Sequence, residues 1–326
     1  MKLTNQVPLY NEKYKHQTKL SSVTDDEFED NDAAYKSTFT DRLIQLAFFI
    51  IFFGWLRIIL IGILTAIYLV LMSPIILLAY QESIVHHITP FGILITQIYF
   101  RLVFFLCGLY RIRIRGKVDK RAKLFLFNHS SNFEGPIIYL FRPFIVICMA
   151  ELKKAPIIGP ILTAVNAVFV DRSIQGGTSK VITNYLNSKN EEPMALAPEG
   201  RCTKGHFLLE YRTGSFIANV PIQPVTVRYT HFLPYGKTGV VWTHGHLIEW
   251  IIRLICMPGC IVDVHFMPVV DSKDFYSKTP AEKALYCNLL MANDLCTMAS
   301  DRSNRSIFLK NSAPLHLKKF NKSEQL

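Results

Sequence analysis

A long apolar stretch, Leu43–Tyr80, limits what this chain can fold into more than any other feature. It is nearly all apolar, with breaks at Arg57 and Pro74. Ile58–Ile76 contains no charge and reaches the roughly twenty residues that a helix needs to cross a bilayer. The run is hydrophobic all round rather than striped, which argues against the core helix of a soluble protein. Two interpretations stay open: one spanning helix, or a helical hairpin bent near Gly54–Arg57 that enters and leaves on one face.

A second apolar segment, Phe91–Tyr110, carries Arg101 in its middle and three further arginines just after its end. The internal charge disfavours a clean span and favours an interfacial helix with its arginines among the lipid headgroups. The sequence RIRIRG that follows alternates as a strand does. We therefore predict a membrane-associated helical segment over residues 43–115.

The two ends of the chain are polar. Residues 1–42 include the acidic run Asp25–Asp32 and lack the apolar core of a secretory signal. Their composition cannot bury a hydrophobic core, so we predict a disordered N-terminal tail. Residues 301–326 are predicted to be a basic C-terminal tail, which leaves residues 116–300 as the globular domain.

Within residues 116–300, short apolar runs alternate with amphipathic stretches such as Ser179–Leu186. This pattern predicts an α/β domain with a mostly parallel central sheet flanked by helices. A further helix is expected at Pro280–Met298. The predicted strands are Leu124–Phe127, Phe144–Met149, Ala167–Val170, Met194–Ala197, Ile222–Val227 and Ile261–Phe266.

Composition narrows the class of partner. Half of the 326 residues are hydrophobic and the formal charge is +11. A basic, apolar chain favours a membrane with anionic headgroups or small anionic substrates. Nucleic acid is not expected, because no basic stretch is interleaved with aromatic residues in a recognisable module. The seven cysteines form no CxxC pair, so we expect reduced thiols rather than disulfides or a zinc site.

The stretch Asn128–Pro136, NHSSNFEGP, places His129 and Glu134 about one helical turn apart just after a predicted strand. Its polar residues are typical of a helix N-terminus, where their side chains satisfy free backbone N–H groups. A carboxylate behind an imidazole suits a general base that takes a proton from a hydroxyl. The alternative is a capped turn whose histidine and glutamate are merely solvated.

A second stretch, Val165–Arg172, ends a predicted strand in Asp171 and Arg172. An arginine at the carboxyl end of a strand in an open α/β sheet faces the crevice where ligands bind, and its guanidinium suits a phosphate. A surface salt bridge to Asp171 is the alternative.

A third stretch, Ala197–Gly205, reads APEGRCTKG. Gly200 allows close backbone approach, and Arg201 and Lys204 could hold an anion. Glu199 would be costly there unless it were paired or bonded to a substrate hydroxyl. An ordinary turn with solvated charges is the alternative. In the fourth stretch, VPIQPV, Pro221 and Pro224 indicate an edge strand or a rigid loop.

Taken in order, NHSSNFE, FVDR, PEGRCTKG and VPIQPV resemble the four motif blocks of the glycerophospholipid acyltransferase superfamily. The closer resemblance is to its lysophosphatidylcholine/lysophosphatidylethanolamine acyltransferase branch. It is carried by the HSS start, EG-x-CT-x-G, YRTGSF, VPIQPVTVRY, WTHG and VHFMPV. The resemblance covers roughly residues 43–300.

This resemblance implies a membrane-bound O-acyltransferase that moves a fatty acyl group from acyl-CoA to the free hydroxyl of a lysophospholipid. Acyl-CoA is then a co-substrate, and no bound cofactor or metal is expected. By position, His129 matches the catalytic base and Glu134 stands where the family usually has aspartate. The implied substrate-binding positions are Arg172, Glu199, Gly200, Arg201, Pro221 and Pro224.

Three departures from the family pattern stand out: Glu134 is one methylene longer than aspartate, Asn166–Ala167 stands where a glycine is usual, and Arg201 replaces a threonine. A non-enzymatic membrane scaffold therefore stays open, as do lysophosphatidic acid and glycerol 3-phosphate as acceptors. His244 and His246 have no third ligand nearby, so a metal site is not expected there. Cys202 matches a block in which cysteine is not implied to be catalytic. The expected location is a membrane, the endoplasmic reticulum or one connected to it.

Overall fold

The computed structural model describes residues 6–32, 38–81, 90–171, 176–188, 192–232, 239–242 and 247–304. Within these ranges the strands are β1 Gln6–Val7, β2 Leu109–Gly116, β3 Leu124–Phe127, β4 Ile145–Met149, β5 Val168–Val170, β6 Met194–Leu196, β7 Phe207–Glu210, β8 Ile222–His231, β9 Cys260–Phe266 and β10 Met298–Ser303. The helices are α1 Asp25–Asp32, α2 Phe39–Ile51, α3 Gly54–Gln81, α4 Pro90–Leu106, α5 Glu134–Tyr139, α6 Ile158–Ala164, α7 Gly177–Asn187, α8 Leu247–Ile255, α9 Lys273–Tyr276 and α10 Pro280–Leu295.

The central sheet has the strand order β2-β9-β8-β3-β6-β4-β5, and β1 also pairs with β8. From β8 to β5 every pairing is parallel, whereas β9 and β2 run in the opposite direction. This confirms the predicted α/β class with a mostly parallel sheet. The prediction of an edge strand or loop at VPIQPV is wrong, because β8 lies between β3 and β9 and is almost entirely buried.

Strand β3 is buried on both faces, as expected for a strand in the middle of a largely parallel sheet. Phe125 and Phe127 pack into a core that includes residues of α3, α4, α5 and α8. Leu124 and Leu126 pack on the opposite face with residues of α7 and α10. The apolar N-terminal helices therefore cover one face of the sheet.

The apolar stretch Leu43–Tyr80 folds as two helices, α2 and α3, and the second apolar segment folds as α4. The chain breaks between α2 and α3 at Phe53, which has a φ of 53°. Helices α3 and α4 pack together, with the rings of Tyr68 and Tyr99 stacked 4.2 Å apart. Strand β2 belongs to the central sheet, so the predicted membrane segment 43–115 gives way to the globular domain at Leu109.

Arg57 ties the start of α3 to the globular domain. Its guanidinium donates to Ile255 O at 3.2 Å and Met257 O at 3.1 Å, and to the Tyr110 hydroxyl at 2.6 Å. These carbonyls lie at the end of α8, where a cation also complements the helix dipole. The charge that interrupts the apolar run is therefore buried and bonded.

Large apolar side chains are exposed on α2, α3, α4 and α8, in numbers that a soluble surface does not tolerate. One helix of the described residues, Gly54–Leu77, is long and apolar enough to cross a membrane. The exposed residues include Leu46, Ile50, Ile51, Ile59, Ile63, Ile67, Val70, Leu94, Ile98, Phe105, Ile248 and Ile252.

Residues 6–32 are ordered on the globular domain, which corrects the prediction of a disordered tail over 1–42. Strand β1 adds to the central sheet, and Val7, Val23 and Phe28 are buried. Thr24 and Glu27 bond each other at the start of α1 in the arrangement of a capping box. At the other end β10 runs to Ser303 and pairs with β7, so the domain extends past residue 300.

Candidate active site

The loop after β3 carries the histidine and the carboxylate that the sequence singled out. His129 Nδ1 lies 3.4 Å from Glu134 Oε2, and the imidazole is 23% exposed whereas the carboxylate is buried. The separation is longer than an ordinary hydrogen bond, as is common in catalytic sites that hold no substrate. The structure brings together an accessible imidazole and a buried acid at the carboxyl end of a central strand.

Glu134 is fixed by its own loop. Its carboxylate accepts backbone hydrogen bonds from Ser130 N at 3.2 Å and Ser131 N at 3.1 Å. Burial raises the pKa of this carboxyl, while His129 and the backbone N–H groups oppose the rise. The extra methylene of glutamate therefore folds back over the loop and still reaches the imidazole.

The predicted capping of α5 by the polar residues of the loop is wrong. The N-cap of α5 is Phe133, which makes no side-chain capping bond. Asn128 instead donates to Val227 O at 2.9 Å and accepts from Val227 N at 2.8 Å, and so anchors the loop to β8. The loop N–H groups of Ser130 and Ser131 donate to Glu134, and Phe133 N donates to Ser131 Oγ at 3.3 Å.

Glu199 holds the same loop from the neighbouring strand β6. Its carboxylate accepts from His129 N at 2.8 Å and from Leu209 N at 3.0 Å, and it is fully buried. Burial raises the pKa of Glu199 to about 7, against the opposing effect of these backbone donors. The predicted acceptor-binding role does not fit these contacts, because both oxygens are bonded to protein backbone.

Cys202 lies against the other nitrogen of the histidine. Its Sγ is 3.1 Å from His129 Nε2 and 3.6 Å from Ser131 O. Burial, reinforced by Glu134 and Glu199, raises the pKa of this thiol well above its ordinary value, so the sulfur is protonated and donates. This contact could not be predicted from the sequence, because 73 residues separate the two side chains.

Backbone N–H groups near Gly200 and in the loop before α5 are the natural candidates to stabilise an oxyanion, but those of Gly200, Ser130 and Ser131 are already bonded within the protein. Gly200 N donates to Ala197 O at 3.1 Å, and the serine N–H groups at the helix start donate to Glu134. Gly200 has a φ of 77°, and a Cβ there would lie 2.7 Å from Arg212 Nε. The glycine is therefore required by backbone conformation and by the close guanidinium. Arg201, next in the chain, is half-buried.

Arg172 lies outside the described residues, so its predicted phosphate contact stays a prediction. Strand β5 ends at Val170 on the same edge of the sheet as His129, three strands away. Neighbouring strands are about 4.8 Å apart, which puts the end of β5 about 14 Å from the end of β3. Asn166 has a φ of 61°, so it adopts the left-handed conformation that the usual glycine would supply.

Pro221, which precedes β8, and Pro224, within β8, lie beside strand β3 on the amino-terminal side of His129. Pro224 is opposite Leu126 of β3, and Pro221 O accepts from Lys123 N and Leu124 N at the start of that strand. Pro221 is therefore at the opposite end of β3 from His129, which argues against its contact with a substrate there.

Aromatic side chains connect the catalytic loop to the apolar helices. Phe133, next to Glu134, lies with its ring centroid 5.4 Å from Phe104 of α4 and 5.4 Å from Trp250 of α8. Trp242 packs on Trp250 and donates its backbone N–H to Ser130 O at 3.0 Å. Among the described residues no cluster could hold a metal ion, and His244 and His246 lie outside them.

Comparison with known proteins decides the family. A family model described as Acyltransferase matches residues 111–228, which contain His129, Glu134 and Glu199. This segment matches the acyltransferase family. The family inferred from the order of the four motifs is thereby confirmed.

The relatives of this acyltransferase domain support the branch as well. Lysophospholipid acyltransferase LPCAT4 of Mus musculus is 33% identical over 208 residues, which are 62% of this chain and 39% of that protein. Lysophosphatidylcholine acyltransferase 1 of Rattus norvegicus is 30% identical over 62% of this chain and 38% of its own length. Lysophospholipid acyltransferase LPEAT2 of Arabidopsis thaliana is 26% identical over 67% of this chain and 41% of its own.

The chain spans about two fifths of the length of these curated relatives. Among solved structures, the 1-acyl-sn-glycerophosphate acyltransferase PlsC of Thermotoga maritima is 17% identical and has a TM-score of 0.45. The match covers 78% of this chain and 96% of that chain.

Proposed function

We propose that this protein transfers a fatty acyl group from acyl-CoA to the free hydroxyl of a lysophospholipid. The observation that carries the proposal is the pairing of His129, whose side chain is 23% exposed, with the buried Glu134 at the carboxyl end of β3. The relatives named for lysophospholipid acylation support the choice of acceptor. The reaction needs no resident cofactor or metal.

In this reaction His129 Nε2 takes the proton of the lysophospholipid hydroxyl, and Glu134 accepts a hydrogen bond from Nδ1–H. The hydroxyl oxygen attacks the thioester carbonyl, the carbon–sulfur bond breaks, and the CoA thiolate recovers the proton from His129. Since the Cys202 thiol lies at Nε2 in the free enzyme, the hydroxyl must displace it. Glu199 takes part only by holding the backbone of His129.

The apolar helices support a membrane as the place of the reaction. The chain on either side of them, residues 6–32 and β2, belongs to the same globular domain. A hairpin that enters and leaves on one face satisfies this arrangement, whereas a single spanning helix does not. We propose that α2, α3 and α4 hold the domain on one side of an endoplasmic-reticulum-type membrane, with lysophospholipid and acyl chain meeting at the water boundary.

Substitutions at the histidine and the glutamate test the chemistry. His129→Ala and Glu134→Gln should abolish acyl transfer without unfolding, because they remove the base and the group that orients it. Glu134→Asp should retain activity, since aspartate is usual at this position in the family. The assay is release of CoA thiol with acyl-CoA and a lysophospholipid in detergent. Wild-type activity in His129→Ala would remove the base assignment.

A panel of acceptors separates the open alternatives. Lysophosphatidylcholine, lysophosphatidylethanolamine, lysophosphatidic acid and glycerol 3-phosphate are compared at one acyl-CoA concentration, and no turnover on any of them would favour a scaffold.

Arg172→Ala should raise the KM for the lysophospholipid more than the KM for acyl-CoA, because a guanidinium at that edge would bind the acceptor phosphate. The reverse result would move Arg172 to the donor side.

A further inference from the structure

We propose that residues 6–32, the N-terminal strap, position the loop of residues 202–206 and through it the histidine that carries the chemistry. The inference rests on the proposed function, because it concerns the same histidine. The family match begins at residue 111, so the strap lies outside the part of the chain that the comparison covers. Five contacts link the strap, this third-motif loop and the catalytic loop.

The first contact is at the edge of the catalytic loop. Strand β3 pairs with the first part of β8, at Ile222–Val225. Strand β1 pairs with the last part of β8, at Tyr229 and Thr230, along the same edge of β8. Just after β1, Leu9 N donates to Gly205 O at 2.7 Å. A Cβ on Gly205 would lie 3.0 Å from both Val7 Cγ1 and Ser130 Oγ. Strap, third-motif loop and catalytic loop therefore meet with no room for a methyl group.

The second contact is made by Asn31, a fully buried residue at the end of α1. Its backbone oxygen accepts from Lys204 N at 2.8 Å, and its side-chain Oδ1 accepts from His206 N at 2.9 Å. One strap residue thus satisfies two backbone donors of the third-motif loop. Without the Asn31 side chain the half-buried N–H of His206 would need a new partner, and the loop would shift to find one.

The third contact anchors α1 on the domain. Val23 and Phe28 of the strap are buried in a small cluster with Phe207 and Leu209 of β7. Lys204 Nζ also lies 2.8 Å from Asp30 Oδ1, but the Asp30 side chain is 60% exposed. Solvent weakens such a pair. The apolar cluster and the bonds of Asn31 therefore hold α1 against the third-motif loop more firmly than this exposed ion pair does.

The remaining two contacts connect the third-motif loop to the base. Thr203 N donates to His129 O at 3.1 Å, next to the contact of Cys202 Sγ with Nε2. Leu209, which packs against the strap, shares the carboxylate of Glu199 with His129 N. A displacement of the third-motif loop therefore moves the histidine itself. Misplacement of a reacting group by about 1 Å can cost about a hundredfold in rate.

The experiment compares two asparagine substitutions in the full-length protein. Asn31→Ala removes the bond to His206 N, whereas Asn11→Ala is the matched control, because the Asn11 side chain bonds only Lys13 within the strap. We measure kcat and both KM values in detergent micelles, thermal unfolding, and hydrogen exchange at the amides of residues 203–207. Exchange reports the docking of the loop directly, even where activity is lost.

We expect Asn31→Ala to lower kcat about tenfold with both KM values within twofold of wild type, and to speed exchange at Lys204 and His206. Asn11→Ala should match wild type in all three measurements. Wild-type kcat in Asn31→Ala would overturn the proposal. So would a loss of kcat that follows global unfolding with no faster local exchange. If the wild-type protein transfers no acyl group, the proposed function fails, while the exchange measurement still decides whether the strap holds the loop.

Discussion

Replacing Glu199 by glutamine tests the electrostatics of the site, because this carboxyl group is buried and its pKa lies near neutral pH. Burial raises the pKa of Glu199 from its ordinary 4.5 to about 7. The folded state therefore holds this proton more tightly than the unfolded state does. Stability from this group is fully present below pH 4.5 and is lost as the pH rises through about 7.

The magnitude follows from the same shift. A rise in pKa from 4.5 to about 7 means that the free energy of unfolding falls by about 3 kcal/mol as the pH rises from below 4.5 to above 7. For a domain of this size that is roughly 6–12 °C in Tm. Glutamine cannot ionise, so Glu199→Gln lacks this loss. Its NH2 group cannot accept, however, so one N–H of His129 or Leu209 loses its acceptor, which costs about 1–3 kcal/mol at every pH.

The assay is thermal unfolding of both proteins in the same detergent between pH 5.5 and 8.5. Between pH 5.5 and pH 8.5 the stability of Glu199→Gln should rise relative to wild type by about 2 kcal/mol, because wild type still loses about 1.4 kcal/mol for each pH unit up to about 7. Glu210→Gln, at an exposed carboxylate of β7, is the control and should leave the pH dependence unchanged. A gap that stays constant across this range would refute the reasoning.

Two other substitutions have definite expected outcomes. Cys202→Ala should keep kcat within a few-fold of wild type, because the buried thiol is protonated and is not expected to act as a nucleophile. For the same reason, intact-mass measurement of the wild-type protein after incubation with acyl-CoA alone should show no acyl adduct. An adduct on Cys202, together with an inactive alanine variant, would indicate a covalent route instead. Arg57→Leu should lower Tm by several degrees, since it leaves Ile255 O, Met257 O and the Tyr110 hydroxyl without their donor; an unchanged Tm would mean that this anchor does not stabilise the fold.

Much of the central domain could be predicted from the sequence, because buried parallel strands consist of short runs of apolar residues. The six predicted strands correspond to β3, β4, β5, β6, β8 and β9 within a few residues. The pairing of His129 with Glu134 was predictable for a similar reason, since both lie in one short loop. Local patterns of this kind are decided by neighbouring residues.

The contacts that the sequence did not reveal join distant parts of the chain. Cys202 reaches His129, and Glu199 reaches the backbone of His129, only because β3 and β6 are neighbours in the sheet. Pro224 was assigned to an edge because proline cannot donate to a ladder, but its carbonyl still accepts from Met267 N. Tertiary pairing determined all three positions.

The strap was missed for a different reason. Its acidic composition is typical of disordered segments. Bulk composition does not reveal that two apolar side chains, Val23 and Phe28, pack on β7 and help to dock α1. A local signal was present, since Thr24 and Glu27 have the spacing of a capping box ahead of Phe28. Weighing that start signal against bulk composition would have predicted α1.

The docking of residues 6–32 on the same domain as β2 has a consequence for how the protein reaches a bilayer. No polar segment among the described residues has to be translocated, so the helices can insert from the side on which the domain already resides. An enzyme with the proposed function, anchored in this way, would draw lysolipid from a single leaflet and return its product to that leaflet. Redistribution of the diacyl lipid to the opposite leaflet would then depend on a separate flipping activity.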